Sequence, residues 1–264
     1  MLRLSAGCLA AALVLSGCST GSGNGAKNGP CVPVTLGSSA PSAGRSSGSA
    51  GTSAAVTVAP LTSLTAPQLA ERAKAALLSA PSVRIAGSIA RGGSAPTFRI
   101  DIGYAATGSS GTVSSAGYDF GIIARESTVW FRAPGTFWKQ VRAGDDTGVR
   151  KVANKWLRGT SCDVGIKDYA GYASRINVVE SLFANSKDVK FGERTTIDGI
   201  DSASLTDPSG TLYVAIADAR PVRLVGVAGT DTAANTMTFT HYGTVPAPVP
   251  PPAAQSVDVS VFRR

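Results

Sequence analysis

Few side chains in this chain have the types needed for bond-making chemistry, and their spacing excludes most of it. There is a single histidine, His241. A Ser-His-Asp arrangement could be built only around it, and one imidazole cannot make a multi-histidine metal site. The four cysteines, Cys8, Cys18, Cys31 and Cys162, contain no CxxC pair, so zinc-ribbon and thioredoxin-type chemistry fall away. Asp207, Asp218 and Asp231 lack the spacing of cation ligands and read as turn residues. His241 shares strand parity with Met237 and Phe239, which turns it inward. It is then a satisfied buried or rim histidine, or else a headgroup contact or pH sensor. A hydrolase built on His241 is the weakest functional reading, and the chain calls for no cofactor and no metal.

One spacing does specify covalent chemistry. Arg3 precedes a short Ala/Leu-rich stretch, Leu4 to Leu15, which ends in Leu15-Ser16-Gly17-Cys18. Small residues before a cysteine at the end of a secretory leader resemble the bacterial lipobox, whose cysteine thiol receives a diacylglyceryl group. Cleavage before Cys18 then leaves it as the acylated N-terminus. The competing reading is an ordinary signal peptide with an incidental cysteine. Two or more acyl chains, at ~0.8 kcal/mol per buried CH₂, anchor a protein stably. The expected location is the extracytoplasmic face of the cell membrane. With Cys8 in the leader and Cys18 acylated, Cys31 and Cys162 remain. In an oxidising compartment these two pair and pin the N-terminal segment to the domain; otherwise they are separate thiols.

The elements that must hold these groups begin late. Residues 1–17 read as the leader, 18–62 as the acylated cysteine and a tether, and 63–260 as the folded domain. Residues 19–62 contain no aromatic residue and only two charges, Lys27 and Arg45. Such a Ser/Gly/Ala/Pro-rich coil spans roughly 35–40 Å on average. The chain carries a net charge of +8, and loss of Arg3 with the leader leaves +7. Lys139, Arg142, Arg150, Lys151, Lys155 and Arg158 form its one basic cluster. That balance suits anionic lipid headgroups or cell-wall polymers, or serves solubility alone. No basic stripe with interleaved aromatic residues points to nucleic acid. Beyond the leader no run of 18 or more apolar residues occurs, so the body does not span a membrane as a helix.

Thr65-Ala66-Pro67-Gln68 is a capping box, with Leu64 and Leu69 as its hydrophobic staple. A helix follows to Ala80, presenting Leu69, Ala73, Ala76, Leu77 and Ala80 on one face, and Pro81 stops it. After Pro81 the apolar period falls to two. Val83–Ile89 and Phe98–Tyr104 alternate as strands around a Gly92-Gly93-Ser94 loop. Further strands are expected near 111–117, 119–125, 128–133, 188–196, 199–206, 211–217, 221–228 and 235–242, with a short one at Val257. A helix is expected over 168–185 and a helical turn at 147–154. The tail from Val245 to Pro252 is Pro-rich and extended.

The fold class is therefore α+β: a strongly curved antiparallel sheet, a half-barrel of about 8–11 strands, with two or three helices on its concave side. Val83, Ile85 and Ile89, then Phe98, Ile100 and Ile102, then Leu212 and Val214, and finally Met237 and Phe239 face that side. Small inward residues on a curved sheet leave room for an apolar ligand. Alternatively the helices fill the space completely, as in an ordinary core. Trp130, Trp138 and Trp156 serve either as core or as interfacial anchors.

Several stretches, in this order, resemble actinobacterial lipoproteins of the LolA-like superfamily, in particular the LppX/LprG type. They are the Leu15–Cys18 run with its tether, the Thr65–Ala80 helix entering Ser82–Gly87, Thr195–Asp201, Thr211–Ala215, Pro221–Leu224, and Thr236–Tyr242 before a Pro-rich segment ending in Val257-Asp258. The resemblance implies a half-open curved sheet plugged by helices, a lipid or lipoglycan in the groove, and its transfer across the envelope, with no catalytic residue. A monomer is expected, with the membrane and a lipid as partners and no protein partner specified. The other reading is an envelope interaction or sensor module with a filled core and no cargo.

Overall fold

A computed structural model describes residues 63–89, 97–163, 165–184, 186–226 and 235–262. The leader, the tether, Cys18, Cys31, the Gly92-Gly93-Ser94 loop and Asp231 lie outside the described residues. The first helix, α1 (Ala66–Ser79), starts as its capping box dictates. Thr65 N donates to Gln68 Oε1 at 2.8 Å, and Gln68 N donates to Thr65 Oγ1 at 3.4 Å. Its buried face is Ala66, Leu69, Ala70, Ala73 and Leu77, mostly small side chains that let the helix lie close to what it covers.

The strands are β1 (Val83–Ile89), β2 (Phe98–Ala105), β3 (Gly108–Ser115), β4 (Tyr118–Arg125), β5 (Thr128–Arg132), β6 (Trp156–Gly159), β7 (Lys190–Phe191), β8 (Thr195–Ile197), β9 (Ile200–Asp207), β10 (Gly210–Ala215), β11 (Pro221–Gly226), β12 (Thr236–Thr240) and β13 (Ser256–Asp258). They form one 13-stranded sheet in the order β13-β6-β5-β4-β3-β2-β1-β12-β11-β10-β9-β7, with β8 also on β9. The sheet is open, and every pairing is antiparallel except β13 on β6. The expected architecture holds, and the strand number exceeds the expected range. The strand expected over 188–196 is split into β7 and β8, and the unanticipated β6 is a four-residue piece too short to show alternation.

Several strand glycines, Gly87, Gly108, Gly111 and Gly210, bring strands unusually close. A Cβ at Gly111 would lie 2.0 Å from the Asp101 carbonyl oxygen, and one at Gly87 2.1 Å from that of Thr236. Glycine at such points lets a sheet bend sharply. The bend gathers side chains from β5 to β9 into a single core.

The remaining helices are α2 (Gly135–Val141), α3 (Asp146–Val152), α4 (Lys167–Ala170) and α5 (Arg175–Leu182). The helix expected over 168–185 is broken. Tyr104 Oη donates to the Tyr172 carbonyl at 2.7 Å, and Ser109 Oγ to the Ala173 carbonyl at 2.7 Å. The sheet thus takes two carbonyls out of the helical ladder. Ser174 turns extended and caps α5 through its hydroxyl, which accepts from Asn177 N at 3.4 Å. The unanticipated α2 follows Pro134 and is seven residues long. On the outer face the tail 243–252 leaves β12 and runs toward β13. Val245 N donates to Ser82 Oγ at 2.9 Å, and the Val245 and Pro248 side chains lie over Gly103 and Gly108.

Candidate apolar groove

The sheet registers build apolar rows across the concave face. One runs Phe239–Ile85–Ile102–Gly111–Ile122–Phe131–Leu157 through β12, β1, β2, β3, β4, β5 and β6. Another runs Phe191–Leu205–Leu212–Leu224–Met237–Gly87–Ile100 through β7, β9, β10, β11, β12, β1 and β2. Alternation within each strand put these positions on one face, and pairing lined them up.

The ten residues expected to line the concave side fall on one face of the sheet. Val83, Ile85, Phe98, Ile100, Ile102, Val214, Met237 and Phe239 are buried beneath the helices, while Ile89 and Leu212 are half-buried. Leu205 and Leu224 complete the second row. Leu224 was within reach of the Pro221–Leu224 alternation; Leu205 needed the register. That row is not uniformly covered. Leu205 and Met237 are closed off, Leu212 and Leu224 between them are half-buried, and Phe191 at its outer end is 51% exposed. Solvent therefore reaches parts of Phe191, Leu212 and Leu224 on β7, β10 and β11.

The cover beside this row is α1 and α5, tied together by polar contacts. Lys74 Nζ donates to Glu180 Oε2 at 2.7 Å, Ser186 Oγ to Glu71 Oε1 at 2.8 Å, and Arg175 Nη1 to the Ala80 carbonyl at 2.5 Å. Burial lowers the Arg175 pKa from its usual range, and burial pushes the Tyr104 phenol far above its own. Both groups keep their ordinary protonation at neutral pH and act as hydrogen-bond donors.

The other end of the concave face is filled by rings. Phe120 and Phe131 stack at 5.3 Å between centroids, and Tyr169 lies 4.6 and 4.8 Å from them. Phe137 meets Phe120 edge-on at 5.1 Å, and Trp138 meets Phe131 edge-on at 6.0 Å. Trp138 is fully buried, a core residue rather than an anchor. Trp130 and Trp156 are half-buried, and the Arg132 guanidinium covers the Trp156 ring at 4.8 Å.

His241 does not point inward as its strand parity suggested. It follows the last residue of β12, with φ 54°, and is exposed beside Thr240 Oγ1 at 3.0 Å. The strand ends at Thr240, two residues before the expected end at Tyr242, so the parity argument no longer applies to it. Asp207 and Asp218 have the expected turn roles. Asp207 Oδ1 accepts from Ser209 N at 2.7 Å and Gly210 N at 2.9 Å, and Asp218 Oδ1 accepts from Arg220 N at 3.1 Å. Among the described residues no three His, Cys, Asp or Glu side chains gather as metal ligands, and no helix is long and apolar enough to cross a membrane. Cys162 is disulfide-bonded.

No family model and no curated protein matches the chain. Among solved structures it is similar to LprF from Mycobacterium bovis, at 13% identity and a TM-score of 0.42, over 70% of this chain and 97% of that one. It is also similar to an uncharacterized conserved protein from Thermus thermophilus, at 14% identity and a TM-score of 0.34, over 72% and 96% of the two chains. LprF is of the LppX/LprG type that the motif order resembles. Neither likeness bears on what this chain binds.

Proposed function

We infer that the domain holds the acyl part of an amphipathic lipid or lipoglycan against the β7–β12 half of its concave face and carries it across the cell envelope. The observation that carries this reading is the apolar row Phe191–Leu205–Leu212–Leu224–Met237, closed at some positions and open at others. An acyl chain leaving a bilayer loses apolar contact and needs an equivalent surface. Aliphatic side chains return ~25 cal/mol per Å² buried. The open positions provide entry, and the closed ones provide a floor that water does not reach.

The remaining parts of the reading follow from the sequence. Residues 1–17 are removed, Cys18 carries the lipid anchor, residues 18–62 form the tether and 63–260 the carrier domain. The disulfide of Cys162 is made with Cys31, and the protein acts as a monomer on the extracytoplasmic face. A tether holds the carrier at high effective concentration near its donor membrane. No catalytic residue is assigned.

Native mass spectrometry of the full lipoprotein purified from its own host tests this, together with uptake of a fluorescent fatty acid. A co-purifying lipid and saturable uptake are expected. A chain free of lipid that takes up no probe overturns the carrier reading and leaves an envelope interaction module with a filled core.

A further inference from the structure

The basic cluster lies at the end of the molecule opposite the partly exposed row, and it lies where the chain is cross-linked. Residues 132–167 contain eight basic and three acidic side chains, a net +5 of the chain's +8. They form α2, α3, β6 and the turn after it. Lys139 on α2, Arg150 and Lys151 on α3, and Lys155 just beyond are all exposed, and none is in an ion pair among the described residues. Among the described cations outside this segment five of eleven meet a carboxylate: Lys74, Arg84, Arg194, Arg220 and Arg223. Within the cluster only Arg158 does, with Asp258. Two of its acids serve the backbone: Asp145 accepts from Gly148 N at 3.0 Å, and Asp163 from Thr160 N at 2.7 Å. The third, Asp146, is exposed at the start of α3.

One cation of this segment stacks on an aromatic ring. The Arg142 guanidinium sits 4.5 Å over the Phe262 ring, whose other neighbour is Trp138 at 5.4 Å. Arg263 and Arg264 follow Phe262 in the sequence. Val141, at the end of α2, is 50% exposed among these cations.

A second observation says what this face meets. Cys162 is exposed in the turn after β6, and it is disulfide-bonded. That turn packs on the core beneath α2, since a Cβ at Gly165 would lie 3.5 Å from Trp138 Cζ3. Every other cysteine of the chain precedes residue 32. On the Cys31 pairing proposed above, the cross-link ties the anchored segment of the chain to this turn. Resting on the Cys18 anchor reading, a bond to Cys31 leaves twelve residues between Cys18 and Cys31, a reach of at most ~45 Å. It also decides which end of the domain is held toward the bilayer.

We propose that the exposed face of α2 and α3, with Lys139, Arg150, Lys151 and Lys155, docks on an anionic phospholipid surface and leaves the β7–β11 end directed away from the membrane that anchors the chain. Each cation near such a surface adds a similar increment of attraction, which falls off within a Debye length of about 8 Å at physiological salt.

The test uses the full mature chain with Cys18→Ser, which has no acyl group, sedimented with vesicles of phosphatidylglycerol and phosphatidylcholine or of phosphatidylcholine alone. Binding to the anionic vesicles alone, weakened by added salt, is expected. The combined Lys139→Gln, Arg150→Gln, Lys151→Gln and Lys155→Gln variant is expected to bind on the order of a thousandfold more weakly. Exchanging the three lysines for arginine preserves binding, as does the combined Arg84→Gln, Arg194→Gln and Arg223→Gln control. No preference for anionic vesicles, an equal loss in the control, or binding to soluble heparin without binding to vesicles overturns the proposal. Because this chain carries no anchor and the patch lies away from the apolar row, failure of the acylation or cargo reading does not alter the result.

Discussion

The two halves of the concave face are built from the same alternating strands but close in different ways. At the β3–β6 end, Phe120, Phe131, Phe137, Trp138 and Tyr169 interlock with short ring separations, under helices shorter than two turns. At the β9–β12 end the floor is aliphatic, the cover is an Ala-rich helix, and Leu212 and Leu224 remain half-buried. Rings offer large area and tightly constrained geometry, so that end is a finished core. Aliphatic rows under a small-residue helix give area without closure. The difference teaches that curvature alone does not make a groove; the side chains on the covering helices decide where it stays open. Four of the six ion pairs among the described residues, Arg194–Asp201, Arg220–Asp218, Arg223–Asp198 and Lys74–Glu180, lie on the aliphatic half or its cover, and Arg158–Asp258 lies at the aromatic end.

The largest test of this contrast is truncation. Phe131→Ala, in the ring cluster, is expected to lower unfolding free energy by about 3–5 kcal/mol, measured by denaturant titration of the oxidised chain. Leu224→Ala is expected to cost about 1 kcal/mol, because a half-buried leucine has less apolar contact to lose. Equal losses would show that the halves are packed alike. Between the halves, Gly111→Ala drives a methyl group into the Asp101 carbonyl and is expected to cost more than about 1 kcal/mol. A parent-like midpoint would mean that the sheet does not depend on that close approach for its bend.

On the functional side, Leu224→Glu is expected to weaken fatty-acid probe uptake at least about tenfold, since a carboxylate in the row must be desolvated. Phe120→Leu, in the filled half, leaves uptake unchanged. The reverse pattern would move the site to the aromatic end. Thr65→Ala removes one half of the α1 capping box and is expected to cost about 1 kcal/mol. It should raise hydrogen exchange in α1 before it does so in α2 or α3.

The smallest effect concerns pH. Hydrogen bonds from Arg84 at 2.7 and 2.6 Å hold the Asp101 carboxyl below its usual range. A depressed folded pKa stabilises above the unfolded value near 3.9, and this contribution disappears as pH falls through the folded one. Both side chains are nearly half exposed, so Arg84→Gln should cost less than about 0.5 kcal/mol at pH 7. The difference from the parent should shrink as pH falls below about 3.9. A gap that persists in acid would assign the effect to packing of the arginine stem.

Much of this was written locally. The capping box placed the start of α1, because Thr65 and Gln68 satisfy each other's backbone within one turn. Period-two alternation placed the long strands and turned ten apolar side chains to one face. Alternation states which residues share a face, but leaves open which strand lies beside which. The registers that line up Phe191, Leu205, Leu212, Leu224 and Met237 come from pairings between residues tens of positions apart.

Only the tertiary structure decided the break between α4 and α5, where Tyr104 and Ser109 capture carbonyls from the helix. It alone decided the outward turn of His241, where the strand ends early. It also decided which half is closed, because burial is a property of what lies above a residue, and the covering helix is distant in sequence. The sequence by itself determined the elements and the chemistry available to them, since both depend on neighbours within a few residues. Pairing, curvature and coverage depend on contacts across the whole domain, and these alone determine where an apolar face stays reachable.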